Sequence, residues 1–199
     1  MQYPEKSVQL KNGAVCTLRS ALPADAAEVL RCFLQTHEET DFLLTYPSEN
    51  TMDAEGERGF LTAQEVDPYA LELCAIVDGH LCGTAGFSAV SSGEKLRHRA
   101  EFGIAVERAY WGCGIGRVLT EACIACAGQA GYLQLELDVV AENTAAIALY
   151  RSLGFREYGR NPRGFRTRGG AFQELVLMQL PLADSFSGAG APPSSMALR

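Results

Sequence analysis

The sequence predicts a mixed α/β domain built around a single sheet, and three features lead to that prediction. Residues 71–90 read as two strands joined at Asp78-Gly79, a pair typical of tight hairpin turns. Residues 97–130 read as a strand that leads through a glycine-rich stretch into a helix. Residues 133–182 continue in strand, helix, strand order. Antiparallel strands followed by alternating strands and helices are typical of one sheet covered by helices.

The first part of the chain predicts one strand and two helices. Residues 14–20, AVCTLRS, alternate apolar and polar side chains, as a half-buried strand does. Residues 22–39 carry apolar side chains at helical spacing, with Asp25 in the first turn, and predict a helix. From residue 41 to about residue 65 the pattern is weaker and indicates a loop and a second, shorter helix.

The second part predicts strands and helices in alternation, followed by a tail. The elements are a strand over 97–106, a helix over roughly 114–130, a strand over 133–143, a helix over 143–155 closed by Gly154, and a strand over 171–182. Residues 183–199 are rich in Gly, Ser, Pro and Ala, a composition typical of disorder. We therefore expect one domain over 1–182 and a disordered C-terminal tail over 183–199.

Composition and charge exclude several classes of protein. The chain has 199 residues, of which 47% are hydrophobic and 21% charged, as in ordinary globular proteins. Its net charge of −7 argues against a nucleic-acid-binding protein, because phosphate recognition needs clustered Lys and Arg. No apolar run approaches the ~18 residues of a membrane span, and the polar N-terminus carries no secretory apolar region. We expect a cytoplasmic protein with neither nucleic-acid nor membrane partners.

The cysteines predict reduced thiols and no metal site. There are seven, an odd number, scattered along the chain. Cys123 and Cys126 form a CxxC pair, but with Leu119 they continue a stripe at helical spacing, which predicts burial in the core. Redox CxxC pairs stand instead at helix N-termini. A zinc site would need two more ligands at suitable spacing, and the three histidines offer none.

The stretch 111–117, WGCGIGR, follows a predicted strand and opens a helix. Glycine is costly there unless the backbone bends unusually or approaches a ligand closely. Unpaired N–H groups and the helix dipole favour an anion at such a terminus, and Arg117 adds a cationic side chain. A tight turn without any ligand is the alternative. The nucleotide triphosphatase loop and the dinucleotide GxGxxG fingerprint are both disfavoured, because Gly116 is followed by Arg117-Val118 and the glycines are spaced GxGxG.

Two stretches together resemble the core motifs of the GNAT superfamily of N-acetyltransferases. They are FGIAV followed by WGCGIG, and the later ENTAAIALYRSLGF. In that family a Gln/Arg-x-x-Gly-x-Gly/Ala stretch binds the pyrophosphate of acetyl-coenzyme A through backbone amides. Trp111, Gly114 and Gly116 occupy those positions here, with Trp in place of Gln or Arg. The resemblance covers residues 14–182 in element order and is most specific over 100–156.

The resemblance implies a GNAT-like single domain with a mostly antiparallel, splayed sheet of about seven strands, flanked by about four helices. It implies acetyl-coenzyme A as acyl donor, with main-chain groups around Ile104 and Val106 holding the pantetheine arm in a wedge beside strand 133–140. An N–H group near Val106 would polarise the acetyl carbonyl. The implied cofactor-binding residues are Ile104, Ala105, Val106, Trp111, Gly112, Cys113, Gly114, Ile115, Gly116, Arg117, Asn143 and Tyr150.

Catalytic roles are implied for a tyrosine and a carboxylate. Tyr150 matches the tyrosine that protonates the departing thiolate in many relatives; the alternative is an amphipathic-helix residue with its hydroxyl at the surface. Asn143 either orients the cofactor or caps its helix. Glu101 stands where some small-molecule members, such as the phosphinothricin type, carry a glutamate base. Asp138 and Glu136 share a face of the next strand and are further candidates, as is a chain of water molecules.

The resemblance therefore implies an acetyl-coenzyme A-dependent N-acetyltransferase that transfers acetyl directly to a primary amine of a small molecule or a protein. The alternatives are a noncatalytic acetyl-coenzyme A sensor and an enzyme that uses another acyl donor, such as succinyl-coenzyme A. Residues 37–49, acidic and aromatic together, are candidates to receive a cationic amine. A homodimer stays open, since dimers are common in the superfamily and no interface is identifiable.

Overall fold

Eight strands and four helices, with short 3₁₀ turns between them, make up residues 1–182, the part of the chain that the computed structural model describes. The strands are β1 (Lys6–Gln9), β2 (Val15–Ser20), β3 (Leu71–Val77), β4 (His80–Ala89), β5 (Arg99–Val106), β6 (Gln134–Val140), β7 (Arg156–Arg166) and β8 (Phe172–Pro181). The helices are α1 (Ala26–Glu39), α2 (Ala54–Val66), α3 (Ile115–Gln129) and α4 (Thr144–Ser152). The expected tail, 183–199, lies outside the described residues.

The strands form one sheet in the order β1-β2-β3-β4-β5-β6-β8-β7. Every neighbouring pair is antiparallel except β5 and β6, which are parallel. The β5–β6 pairing runs only from Arg99 opposite Gln134 to Glu101 opposite Glu136, whereas β4 stays paired with β5 as far as Val106. Beyond Glu101 the two parallel strands separate and leave a wedge in the middle of the sheet. The predicted mixed, mostly antiparallel and splayed fold is confirmed.

The predicted hairpin and the predicted element order are confirmed, and two strands were missed. Asp78 and Gly79 both have left-handed backbone (φ 51° and 79°), as a tight hairpin turn of this type requires. The missed strand β1 has only four residues and is largely exposed. The missed strand β7, REYGRNPRGFR, lies at the sheet edge and lacks the alternation of apolar side chains from which strands are predicted. The sheet therefore has eight strands where about seven were expected.

Helices cover both faces of the sheet. On one face α1 and α2 pack through Val29, Cys32 and Leu61. On the other face α3 packs through residues such as Leu119 and Cys123 into the larger core. The wedge between β5 and β6 therefore connects two differently covered faces of one sheet.

A buried carboxylate fixes α1 to the end of β5. Glu107 accepts hydrogen bonds from Arg31 of α1 (2.6 Å) and from His80 Nε2 at the start of β4 (2.8 Å). Burial by itself raises the pKa of the Glu107 carboxyl, but these hydrogen bonds outweigh it and lower the pKa below its ordinary value. The position of α1 over the sheet is therefore set by an ion pair at the entrance to the glycine stretch.

All seven cysteines are free thiols, and six of them are buried. Cys123 and Cys126 lie in the core, as the helical stripe predicted. In the part of the chain that the structure describes, no group of three or more His, Cys, Asp or Glu side chains is arranged to hold a metal ion. None of the helices within residues 1–182 combines the length and apolar character needed to cross a bilayer.

Candidate active site

The glycine stretch after β5 forms a row of unpaired donors at the start of α3. Gly112 and Gly114 have left-handed backbone (φ 76° and 105°), which explains why glycine stands at both positions. A Cβ at Gly112 would meet no atom within 4 Å, so packing does not require it. Within residues 1–182, none of the N–H groups of residues 112–116 donates a hydrogen bond. We call these five N–H groups the amide cradle; with the positive end of the α3 dipole they fit an anion.

The other predicted residues of the stretch act differently. A Cβ at Gly116 would lie 3.3 Å from Leu149 Cδ2, so this glycine lets α3 pack closely on α4. Arg117 donates to Ser152 Oγ of α4 (2.6 Å) and to Glu121 (3.3 Å). Ile115 is buried. Gly116 and Arg117 therefore join two helices, and Ile115 contributes an N–H group rather than a side chain to the cradle.

The turn between β1 and β2 reaches the same cradle, which sequence reasoning missed. The Lys11 N–H group donates to the Cys113 carbonyl (3.0 Å), and the Asn12 side chain contacts Cys113 Sγ (3.5 Å). Lys11 Cγ lies 3.7 Å from the place where a Cβ at Gly114 would stand. An exposed lysine is thus held beside the amide cradle. Sequence carried no signal for it, because β1 itself was too short to predict.

Main-chain alternation shows which groups of β5 face the wedge. Arg99, the first residue of β5, accepts the Val90 N–H just after β4, and Glu107, the residue after β5, donates to the Cys82 carbonyl of β4. Successive residues of a strand point their main-chain groups to opposite sides. Ile104 and Val106 therefore direct theirs into the wedge, where pairing with β6 has ended. Ala105 faces β4, so of the three predicted β5 residues only two can offer main-chain groups to a ligand in the wedge.

Trp111 fixes the corner between β5 and the cradle. Its indole N–H donates to the Val106 carbonyl (2.6 Å), and the Arg108 guanidinium lies 5.5 Å from its ring centroid. The ring is 46% exposed. Because the indole donor is already used, Trp111 positions Val106 and leaves the N–H of Val106 as the group that faces the wedge.

Tyr150 lies inside the protein, at the junction of the wedge and the cavity described next. It is 6% exposed, and its ring packs edge-on against Phe102 (6.3 Å between centroids) and at a tilt against Phe155 (5.7 Å). The alternative of a surface hydroxyl is wrong. No residue among 1–182 forms a hydrogen bond with this hydroxyl, and burial raises its pKa. Tyr150 therefore stays protonated at neutral pH and is able to donate a proton.

Asn143 caps α4. Its side-chain oxygen accepts the Ala146 N–H (3.2 Å), which confirms the capping alternative. The residue also lines the cavity, and its contact with the cofactor stays a prediction.

A cavity of about 310 Å³ lies on the α1–α2 face of the sheet, where β5 and β6 separate. We call it the acceptor cavity. Its apolar lining includes Val29, Phe33, Phe42, Leu43, Leu44, Phe60, Leu137 and Phe165, and its polar lining includes His37, Glu57, Glu72, Thr84, Glu101, Asp138, Asn143 and Tyr150. Its size and mixed lining are those of a small-molecule site.

Two segments far apart in sequence close the acceptor cavity. The Arg168 N–H donates to the Tyr46 hydroxyl (3.1 Å), and the Arg168 guanidinium stacks on the Tyr46 ring (4.0 Å) and contacts Ser48. Gln173 of β8 donates to the Asp41 carbonyl (3.2 Å). The segment between α1 and α2 is therefore fastened to the turn between β7 and β8.

The model of the acetyltransferase (GNAT) family matches residues 33–155. The chain belongs to the GNAT family. Among solved structures, yncA from Salmonella typhimurium with its cofactor acetyl-CoA is similar to this GNAT protein, with a TM-score of 0.77 and 25% identity; the match covers 86% of this chain and 96% of that one.

Two curated relatives of the GNAT protein differ in what their names say they act on. The [ribosomal protein bS18]-alanine N-acetyltransferase of Escherichia coli (strain K12) is 40% identical over 82 residues, 41% of this chain and 55% of the relative. The chain thus spans about half the length of that relative. The L-amino acid N-acyltransferase MnaT of the same strain is 26% identical over 166 residues, 83% of this chain and 94% of the relative.

The three candidate carboxylates of this GNAT protein have different surroundings. Glu136 accepts hydrogen bonds from Arg99 and Gln134; burial raises its pKa, but these bonds outweigh it and lower the pKa below the ordinary value. Glu101 and Asp138 line the acceptor cavity. Partial loss of water raises the pKa of Glu101, and the negative charges of Asp138 and Glu136 raise it further. Partial loss of water also raises the pKa of Asp138, and the negative charge of Glu136 adds to this effect. The structure thus separates Glu136, held in an ion pair, from two carboxylates that face the cavity.

His37 was considered in the sequence only as a metal ligand, yet it lines the acceptor cavity. Burial lowers its pKa, so the imidazole is neutral at pH 7. Its Nδ1 lies 2.7 Å from the Phe33 carbonyl, an acceptor, which places the proton on Nδ1 and leaves a lone pair on Nε2. His37 can therefore accept a hydrogen bond from an amine.

The acidic side chains of the predicted substrate segment 37–49 lie elsewhere. Phe42, Leu43 and Leu44 line the acceptor cavity, while the carboxylate of Glu39 accepts the Arg108 N–H (2.6 Å). The segment thus contributes apolar side chains and His37. The carboxyl groups of the cavity lining stand on α2 and on three strands of the sheet.

Proposed function

We propose that this GNAT protein transfers an acetyl group from acetyl-coenzyme A directly to the primary amine of an acceptor. One observation carries the proposal: the amide cradle, the wedge and the acceptor cavity follow one another across the sheet, with the Tyr150 side chain at the junction. The seven free thiols are consistent with a reducing compartment, and the proposal includes the cytoplasm as location.

The residues present fit the donor. The unpaired N–H groups of residues 112–116 would hold the pyrophosphate, and Lys11 would add a cation beside it. The main-chain groups of Ile104 and Val106 would hold the pantetheine arm as an added strand. Acetyl-coenzyme A supplies an activated thioester when bound. The Val106 N–H is then the nearest main-chain donor for the acetyl carbonyl oxygen.

The cavity carboxylates and Tyr150 take the proton-transfer roles in the proposal. Glu101 removes a proton from the acceptor ammonium, since its raised pKa lies closer to that of an amine than an ordinary glutamate's does. Asp138 is coupled to it by charge and is the second candidate. The neutral acceptor nitrogen would form a bond to the acetyl carbon, and the bond between that carbon and sulfur would break. Tyr150 would give its proton to the departing thiolate and regain one from the acylated nitrogen, which leaves a neutral amide. Glu136 is left out because Arg99 holds it.

Calorimetry tests the donor site first, with acetyl-coenzyme A, desulfo-coenzyme A and ATP as ligands. We expect selective coenzyme A binding, abolished in Gly114→Glu because the new carboxylate is strained at φ 105° and repels the pyrophosphate. Gly59→Glu is the matched control, since Gly59 lies exposed on α2 with open space around it. No binding at high micromolar concentration, or equal binding in the Gly114 variant, would contradict the proposal.

Turnover separates an enzyme from a sensor. We expect Tyr150→Phe to bind acetyl-coenzyme A like the wild type and to lower kcat roughly 10²-fold, since only proton donation to the thiolate is lost. The measurement is thiolate release with an amine panel. Binding without transfer to any amine would favour the noncatalytic sensor.

A further inference from the structure

His37 brings an unused hydrogen-bond acceptor to the acceptor cavity. The residue is 9% exposed, and its ring stacks on Phe33 with 3.8 Å between the ring centroids. Nδ1 lies 2.7 Å from the Phe33 carbonyl, whereas Nε2 has no hydrogen-bond partner among residues 1–182. Polar side-chain atoms inside proteins nearly always have a partner. The partner of Nε2 therefore has to come from water or from a ligand in the cavity.

The neighbouring Thr36 helps to fix which ring nitrogen of His37 carries the proton. The Thr36 hydroxyl lies 3.4 Å from Nδ1, but it donates to the Cys32 carbonyl (2.8 Å), so its proton is directed away from the imidazole. The other neighbour of Nδ1 is the Phe33 carbonyl, which only accepts. Nδ1 therefore carries the proton, and Nε2 keeps its lone pair.

Nε2 of His37 is open to the cavity. Within residues 1–182, Gln64 Oε1 is the one side-chain nitrogen or oxygen that is both fully enclosed and without a hydrogen-bond partner. Nε2 also lacks a partner, so it is not enclosed, and the cavity is the space that His37 lines. A hydrogen-bond donor bound in the cavity can therefore reach it.

The surroundings of His37 favour a neutral donor. Burial lowers the pKa of the imidazole, which shows that a positive charge is disfavoured at this position. A second ammonium group of an acceptor would meet the same penalty. A carboxylate would meet the lone pair of Nε2 and, in the same cavity, the carboxyl groups of Glu101 and Asp138. A hydroxyl group donates a hydrogen bond without either cost.

The amine and the hydroxyl group would bind to different walls of the cavity. Glu101 and Asp138 stand on β5 and β6 and form no ion pair with any residue of the described part, 1–182. His37 stands on α1, which covers this face of the sheet. Apolar side chains such as Phe33 and Phe42 also line the cavity. A ligand that uses all of these groups has an ammonium group at one end, a hydroxyl group at the other and hydrocarbon between them.

We propose that the acceptor is an amino alcohol whose amine lies at Glu101 and Asp138 and whose hydroxyl group donates a hydrogen bond to His37 Nε2. This inference rests on the proposed acetyl transfer and names the acceptor class. The acetyl group still goes to the nitrogen, and the hydroxyl group serves only in binding. The acceptor class sets this protein apart from a relative named as an L-amino acid N-acyltransferase, since an α-amino acid carries a carboxylate next to its amine.

Steady-state kinetics with four amines of matched chain length tests the inference on the wild-type protein. The amines are 5-aminopentan-1-ol, hexylamine, 1,5-diaminopentane and 6-aminohexanoate, which end in a hydroxyl, a methyl, an ammonium and a carboxylate group. We expect kcat/KM for the alcohol to exceed that for hexylamine about tenfold, because the methyl group displaces water from Nε2 and leaves this atom unpaired. The alcohol should also exceed the diamine, and it should exceed the carboxylate by the largest ratio. A shorter pair, 3-aminopropan-1-ol and butylamine, repeats the comparison at a second length.

A variant of His37 shows whether the imidazole makes this distinction. His37→Phe keeps a ring beside Phe33 and removes the lone pair. We expect the ratio of kcat/KM between 5-aminopentan-1-ol and hexylamine to fall from about tenfold to about one, with the affinity for acetyl-coenzyme A unchanged. A purely structural role of His37 would lower kcat/KM for both amines alike and leave the ratio as it is. His98→Phe is the control, since His98 is exposed and lies outside the cavity lining.

The outcomes distinguish this inference from the function on which it rests. Calorimetry with acetyl-coenzyme A shows that each variant is folded, and the wild-type series stands without either variant. Acetylation of the alkylamines or of the diamine as efficiently as the alcohols overturns the acceptor class and leaves acetyl transfer in place. Acetyl-coenzyme A binding without acetylation of any amine overturns both. An unchanged ratio in a folded His37→Phe variant overturns the role of His37.

Discussion

The amide cradle and the acceptor cavity are built from different parts of the polypeptide. The cradle consists of main-chain N–H groups from five consecutive residues, 112–116, in a conformation that two glycines permit. The cavity consists of side chains from α1, α2, the segment between them, five strands and α4. A main-chain site fixes the ligand class for any sequence with the same backbone, whereas a side-chain site can change its ligand with a few substitutions. The donor side is therefore generic, and the acceptor side is specific to this protein.

The first prediction separates the two sites by filling one of them. Gly103 lies on the cavity wall, and a Cβ there would meet no atom within 4 Å. We expect Gly103→Leu to occupy acceptor space and lower kcat/KM for any amine roughly 10²-fold by displacing the reacting nitrogen. The dissociation constant of acetyl-coenzyme A should change little.

Gly59→Leu on α2 is the control for the added side chain, and calorimetry with turnover gives both quantities. If Gly103→Leu lost acetyl-coenzyme A affinity in proportion to its activity, the donor and acceptor sites would not be separate in the way described.

The second prediction concerns the pH dependence of Glu101. A base must be deprotonated, so kcat/KM should rise with pH through the raised pKa of this carboxyl. We expect Glu101→Gln to lower kcat/KM about 10–100-fold and to remove this part of the profile. Amines of different pKa allow the enzyme's own ionisation to be separated from that of the acceptor.

The same substitution should stabilise the fold at neutral pH. The pKa of Glu101 is higher in the folded protein than in the unfolded chain, so the folded state binds the proton more tightly and its stability falls as the pH rises through that range. Replacing the carboxylate removes the penalty. Because the Glu101 residue is largely exposed and its charge is screened by water, we expect only a small rise in Tm at pH 7, about 1 °C, and the gain to shrink as the pH is lowered towards about 4. A lower Tm at pH 7 would show that Glu101 stabilises the fold.

The third and smallest effect is expected at Lys11. Lys11→Gln removes one exposed cation beside the cradle while its main-chain bond to Cys113 remains. We expect the dissociation constant of acetyl-coenzyme A to rise about two- to fivefold, with a weaker dependence on salt. Lys95→Gln, an exposed lysine between β4 and β5, is the control. Equal salt dependence in wild type and Lys11→Gln would remove Lys11 from the donor site.

The difference between the two sites also explains what the sequence revealed. Gly112 and Gly114 were recognisable because left-handed backbone at a helix start selects glycine, and that signal is local. The function of Gly116 was not recognisable from the sequence. This glycine allows close contact with Leu149, which is 33 residues further along the chain. Strand alternation indicated that Glu136 and Asp138 share a face, but the pairing of Glu136 with Arg99 depends on the parallel register of β5 and β6.

The acceptor cavity was beyond local signals. His37 is set in its tautomer by Phe33, one helical turn earlier, but it reaches the cavity only because α1 packs over the sheet. The Glu72 carboxyl group lies over Gly86 of the neighbouring strand, where a Cβ would stand 2.5 Å from Glu72 Oε2. The acidic segment 37–49 suggested a cation site through its composition. The structure places the carboxyl groups of the cavity lining on α2, β3, β5 and β6 instead. Charge in a cavity is a property of the assembled sheet.

The order of strands has a consequence for how this protein is made. Strand β8 lies between β6 and β7 in the sheet, although it is the last of the three to be synthesised. Strand β7 has β8 as its only neighbour within the described sheet, and Asp138 of β6 stands opposite Leu177 of β8. A growing chain therefore holds β6 and β7 without their common partner until residues 172–181 have emerged. The wall of the acceptor cavity that carries Asp138 is therefore completed only after residues 172–181 have emerged.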